Sequence, residues 1–254
     1  MKFTRRQYFD LIKEFSVAWF KERDQRTILG FLWSFLNPLI ITLILFLIFK
    51  KSFSENNYFF LYILIGTICW NYLSATAQSS ITVLLWRDQM VKSLIFPNET
   101  LIIAQVGVFF IQHLFELLII ILFAMILKIG FSWHILLLPI AIILESAIIL
   151  GLSLILAVIG VYARDMEYIW GALTRIGFFL VPIFYKIKDL SSKLQLVVKI
   201  NPVTQIIILY RDILLDHQLP NLFGFGSLVI FSILILIAGY VLFRKYEKKM
   251  AERV

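Results

Sequence analysis

Six stretches of this sequence, about residues 28–49, 59–85, 100–127, 135–162, 167–185 and 222–243, are apolar over roughly the length of a bilayer crossing. A helix of about 20 residues covers roughly 30 Å of hydrocarbon. There every backbone N–H and C=O must be paired within the chain, which favours helices over open sheets. The composition agrees: 61% of residues are hydrophobic, 16% are charged and the mean hydropathy is +0.89. Soluble domains hold about 45–50% and about 25% of these classes. The sequence therefore predicts an all-α polytopic membrane protein with six transmembrane helices, one membrane domain over residues 1–254.

Lys and Arg orient the spans, because cytosolic loops retain them. With the N-terminus inside, Lys2, Arg5, Arg6, Lys13, Arg87, Lys92, Arg164, Arg244, Lys245, Lys248 and Lys249 fall on the cytosolic side, the richer one. Both termini are expected in the cytosol of a cell with this chain in its cytoplasmic (inner) membrane. The net charge of +8 then reads as positive-inside bias and contact with anionic lipid rather than nucleic acid. Asp10, Lys13 and Glu14 occupy the place of a signal peptide's apolar region, so no cleavable leader is expected. The single Cys69 lies in an apolar run and reads as a small buried hydrophobe.

Residues 4–26 form a different kind of segment. Thr4 and Gln7 have capping-box spacing, and Tyr8, Leu11, Ile12, Phe15 and Trp19 recur at helical intervals. An interfacial amphipathic helix fits this pattern, and so does a surface helix packed on the domain. Its charged end, "KERDQR", runs straight into the first span, where Asn37-Pro38 interrupts the apolar run. Pro38 removes a backbone donor and predicts a kink. Between the fifth and last spans, residues 186–221 hold two short apolar runs, "LQLVVKI" and "VTQIIILYRDILL", divided at Asn201-Pro202. Each is too short to cross, which suggests a re-entrant helical hairpin; an extra strained span over 203–215 is the alternative.

The sequence lacks GxxxxGK[ST], HExxH, paired CxxC and a nucleophile elbow, so no catalytic set or metal site is expected. Ionisable residues within the spans are few: His113, Glu116, Glu145 and Arg175. His113 and Glu116 share a helix face, and Glu145 lies at similar depth on the next span. They read either as a proton relay or as a buried hydrogen-bonded cluster. Arg175 must face a lumen or a partner subunit, or snorkel to the surface. The aromatic run Phe178, Phe179, Phe184 and Tyr185 reads as packing or as a ligand track.

Several phrases together resemble one family. "ERDQRTILGFLWSFLNPLI" (22–40), "MVKSLIFPNETL" (90–101), "YARDMEYIWGALTRIGFFLVPIFY" (162–185) and "KINPVTQIIILYRDILL" (199–215) are similar, in order and spacing, to membrane subunits of type-2 ABC exporters. Among these the chain looks most like the polysaccharide exporters, the O-antigen permeases of the Wzm type and their capsule and teichoic-acid relatives. The resemblance implies a permease for lipid-linked polysaccharide, not an enzyme, with no cofactor of its own. ATP and Mg would be handled by two copies of a cytosolic ATPase partner, and the permease would be a homodimer.

It further implies that the path is lined by the first and fifth spans, with Trp33, Phe35, Arg175, Phe178, Phe179 and Tyr185 as candidates. Arg23 and Arg26 would meet a lipid diphosphate, or are ordinary positive-inside flanks. Arg87, Lys92, Phe96 and Pro97 would dock the ATPase. Asn201, Pro202 and Arg211 would belong to an outer gate that narrows the exit. Other readings stay open: export of teichoic acid, drug or lipid, a proton-coupled transporter using His113, Glu116 and Glu145, and a membrane-embedded polymer-modifying enzyme.

Overall fold

The computed structural model describes residues 4–24, 30–53, 58–87 and 97–251. Among these residues every regular element is helical: α1 Arg5–Asp24, α2 Leu32–Phe49, α3 Phe59–Trp86, α4 Glu99–Ile126, α5 Leu138–Tyr162, α6 Met166–Leu180, α7 Ser192–Ile200, α8 Pro202–Arg211 and α9 Leu222–Ala251. Five helical stretches are long and apolar enough to cross a membrane: Leu32–Phe49, Phe59–Trp86, Glu99–Ile126, Trp133–Tyr162 and Leu222–Glu247.

The sixth stretch, expected over 167–185, is helical only as Met166–Leu180, about 22 Å at 1.5 Å per residue. Val181 is extended (φ −95°, ψ 140°), because the ring of Pro182 disfavours helical backbone in the residue before it. Residues 181–185 therefore leave the helix axis as an irregular segment.

The capping box is formed: the Thr4 N–H donates to Gln7 Oε1 at 3.0 Å and the Gln7 N–H to Thr4 Oγ1 at 3.4 Å. The helix it starts packs along α4, with Trp19 buried and Ser16 Oγ 3.2 Å from the carbonyl of Ala104. That approach needs a glycine opposite, since a Cβ on Gly107 would lie 2.6 Å from Ser16 Oγ. α5 and α9 cross closely. A Cβ on Gly151 would come 2.5 Å from the carbonyl oxygen of Ile235, so any side chain there forces the two spans apart.

The main core joins α3, α4, α5 and α8 through Leu61, Ile65, Ile68, Leu117, Ile148, Ile206 and Ile207. α3 lies at the centre, and α2 and α9 lie outside with broad apolar faces uncovered by the chain. The two short apolar runs form two helices, α7 and α8. Asn201 Oδ1 accepts from the Val203 N–H at 2.9 Å, capping α8 just before Pro202 fixes its first turn. α7 keeps Leu194, Leu196 and Val197 exposed, whereas α8 buries Thr204, Ile206, Ile207, Leu209, Tyr210 and Arg211.

Candidate functional site: a groove and its polar supports

α2, α3 and α6 enclose a groove of about 420 Å³. Asn37, Pro38 and Ile41 come from α2, Thr67, Trp70, Asn71 and Ser74 from α3, and Thr174, Arg175, Phe178 and Phe179 from α6. The sequence places the proline interruption and Arg175 more than a hundred residues apart, and the fold sets them on one wall-to-wall space. Pro38 offers no N–H to the helix, so its turn is held by packing; its side chain is buried. α6 approaches α3 because a Cβ on Gly177 would lie 2.5 Å from Trp70 Cη2.

Arg175 is exposed, and its Nε donates to the carbonyl of Gly171 at 3.0 Å. Among the described residues no carboxylate lines the groove. A guanidinium among amides, hydroxyls and aromatic edges suits an anionic or hydroxyl-rich ligand, by charge-assisted bonds and by stacking. Trp70 and Phe178 meet edge-on at 6.4 Å. α6 has no fully buried residue, and Tyr168, Ile169, Leu173, Ile176, Phe179 and Leu180 all remain exposed on it.

Three of the aromatic candidates stand elsewhere. Trp33 is exposed and does not line the groove. Phe35 packs edge-on to Phe31 at 4.7 Å, which in turn meets Phe115 of α4 at 5.2 Å. Tyr185 lies past the end of α6, where its hydroxyl donates to the Leu180 carbonyl at 2.8 Å, and its own carbonyl accepts from Tyr62 at 3.0 Å.

His113, Glu116 and Glu145 form one cluster, apart from Arg175. His113 Nε2 lies 3.2 Å from Glu145 Oε2, and His113 Nδ1 lies 3.9 Å from Glu116 Oε2. Gln112 and Asn71 donate to Glu116 Oε1 at 2.7 and 3.5 Å. Tyr210 of α8 completes it: its hydroxyl donates to Glu145 Oε2 at 2.7 Å and lies 3.3 Å from His113 Nε2. The Tyr72 ring stacks on the imidazole at 4.4 Å. All four central side chains are buried to within 1%. Sequence reasoning missed Tyr210, whose only local signal is a polar hydroxyl in an apolar hairpin helix.

Arg211, the next residue, faces other walls. It donates to the carbonyls of Tyr62, Pro182 and Ile183 at 2.8, 2.8 and 3.0 Å, and its guanidinium stacks 3.3 Å from the Tyr62 ring. It joins the start of α3, the segment after α6 and the end of α8.

At the opposite end, Arg87 pairs with Glu22 of α1 at 3.0 Å and lies 4.6 Å over the Trp19 ring. Glu99 pairs with Arg244 of α9 at 2.7 Å, and the Asn98 N–H donates to Glu247 at 3.2 Å. Pro97 precedes this corner and accepts from the Thr100 hydroxyl at 2.7 Å. Lys92, Phe96 and Arg26 lie outside the described residues, and Arg23 ends within the last turn of α1.

The chain has relatives among known proteins. Residues 15–215 match the ABC-2 type transporter family, and the chain belongs to it: it is the membrane permease component of an ABC transporter. It is 26% identical over 252 residues to the O-antigen export system permease protein RfbA of Myxococcus xanthus, covering 98% of this chain and 96% of that protein. Two proteins of the same name from Klebsiella pneumoniae are 25% and 24% identical, each covering 99% of this chain and 98% of its own length.

Proposed function

We propose that this chain is the permease subunit of an ATP-driven exporter that moves a lipid-linked, O-antigen-like polysaccharide outward across the cytoplasmic membrane. The single observation that carries this reading is the groove, where, among the described residues, Arg175 stands with Asn37, Asn71, Ser74, Thr174 and two phenylalanines and no carboxylate. A phosphate-bearing lipid carrier supplies the anion for such a guanidinium, and sugar rings supply the hydroxyls and apolar faces. The names of the relatives support the same substrate class.

In this reading α6 is the sixth, short crossing and α1 lies along the cytosolic surface. The hairpin α7–α8 re-enters the outer leaflet. Two copies bring their α6 helices to a shared path, which covers the apolar side chains that one copy leaves exposed. ATP hydrolysis belongs to two separate ATPase chains that dock near Arg87 and Pro97, so this chain carries no nucleotide or metal. Weak serial contacts along aromatic edges let a polymer slide without a fixed register.

Purification in mild detergent tests the reading. An ATPase chain should co-purify in equal amount, and deletion of the permease should trap lipid-linked glycan on the cytosolic side. Permease purified alone with substantial ATPase activity, or a deletion strain with normal surface glycan, would overturn it.

A further inference from the structure

The cluster around His113 stands apart from any step assigned above, yet it touches both the groove and the hairpin. Asn71 lines the groove and donates to Glu116 at 3.5 Å. At the far side, Tyr210 on α8 donates to Glu145 at 2.7 Å. We propose that Glu145 and Tyr210 are positioning residues for α8, whose hydrogen bond seats that helix in the bundle. The Asn71–Glu116 arm makes that seat respond to what fills the groove. The second clause rests on the reading of the groove as the path; the first does not.

α8 and the π-helical turn that continues it to Asp216 are short, and a helix of about that length is held by packing rather than by its own turns. Arg211 ties the C-terminal end of α8, while along its length the apolar contacts of Ile206, Ile207 and Leu209 are non-directional and permit sliding. A hydroxyl aimed at a buried carboxyl is directional, and at low dielectric its loss leaves a polar group unpaired.

The cluster also has a second arrangement within reach. His113 Nδ1 and Glu116 Oε2 lack hydrogen-bond partners among the described residues and stand 3.9 Å apart. A shift of roughly 1 Å would bring them into bonding distance. Moving Glu116 Oε2 toward the imidazole would draw Oε1 off Asn71, which it meets at 3.5 Å, and the imidazole itself lies against both Glu145 and Tyr210. Such an exchange is a discrete two-state element, which coupling between sites requires.

Cysteine labelling tests both clauses. In a Cys69→Ala background, Thr204→Cys places a thiol on the buried face of α8. A membrane-impermeant maleimide is applied to intact cells that make no glycan. The thiol should react slowly, and Tyr210→Phe should speed it roughly tenfold, the factor of one broken bond of about 1.4 kcal/mol. Glu145→Gln keeps an acceptor oxygen and should give a smaller rise, and it carries the test alone where Tyr210→Phe fails to accumulate. Gly130→Cys, in open space at the turn after α4, should label at an unchanged rate throughout.

Equal labelling of Thr204→Cys in all backgrounds at equal protein level would overturn the seat. In cells that make glycan, labelling should rise in the parent and not in Asn71→Ala. A persistent rise in Asn71→Ala would remove the arm. An absent rise in the parent would count against the substrate reading and leave the seat standing on the first comparison.

Discussion

The guanidinium of Arg211 donates to the carbonyl oxygen of Pro182 at 2.8 Å. One positive group, buried to 4% exposure, thus holds the segment after α6 to the end of α8. Its other donors reach the carbonyls of Tyr62 and Ile183. Arg211→Ala strands those acceptors and should lower unfolding stability in detergent by at least about 2 kcal/mol. Arg211→Lys keeps the charge but not the planar fork, and should recover only part of it. Equal melting of Arg211→Ala and the parent would show that the staple contributes nothing.

Arg175 should behave oppositely. It is exposed and its Nε bonds only a carbonyl of its own helix, so Arg175→Ala should leave the amount of protein in the membrane unchanged. Export should fall severalfold and recover in part with Arg175→Lys, which keeps the charge. Parallel loss of protein and export, read by immunoblot beside surface glycan, would assign the residue to folding alone.

The corner between Glu99 and Arg244 ties the start of α4 to the last helix. Glu99 is buried and Arg244 is partly exposed, so solvent screens part of the pair. Glu99→Gln and Arg244→Gln should each lower thermal stability, and the double variant should lose less than their sum, with a coupling of about 0.5–1.5 kcal/mol. Strict additivity in that cycle would mean the two groups act independently.

Asp212 sits at the turn after α8, largely buried, and accepts from Gln218 at 3.1 Å. Burial raises its carboxyl above the usual range, so the charged form costs the folded state stability at neutral pH. Asp212→Asn keeps an acceptor oxygen and removes that cost, so it should melt at a higher temperature near pH 7. As pH falls through the raised value the parent takes up its proton in the folded state first. The advantage of the variant should therefore shrink toward acid. A gap that widened on acidification would reverse the sign argued here.

The sequence by itself determined the helical class, the approximate limits of the long spans and the hairpin break at Asn201-Pro202. These depend on hydropathy over about 20 residues and on the local stereochemistry of proline. Val181-Pro182 carried the same local signal for the end of α6, although the apolar run continues to Tyr185. The i,i+3 spacing of His113 and Glu116 and the depth of Glu145 were also legible, because helix rise converts position into depth. Only the tertiary structure decided that Tyr210 completes their cluster across 97 residues to His113, and that Arg211 reaches Tyr62 across 149. It also separated Phe178 and Phe179, which line the groove, from Phe35, which packs against Phe31. Partners so distant along the chain are chosen by how the helices rotate and cross. That is a property of the packed bundle, and the period of one helix does not encode it.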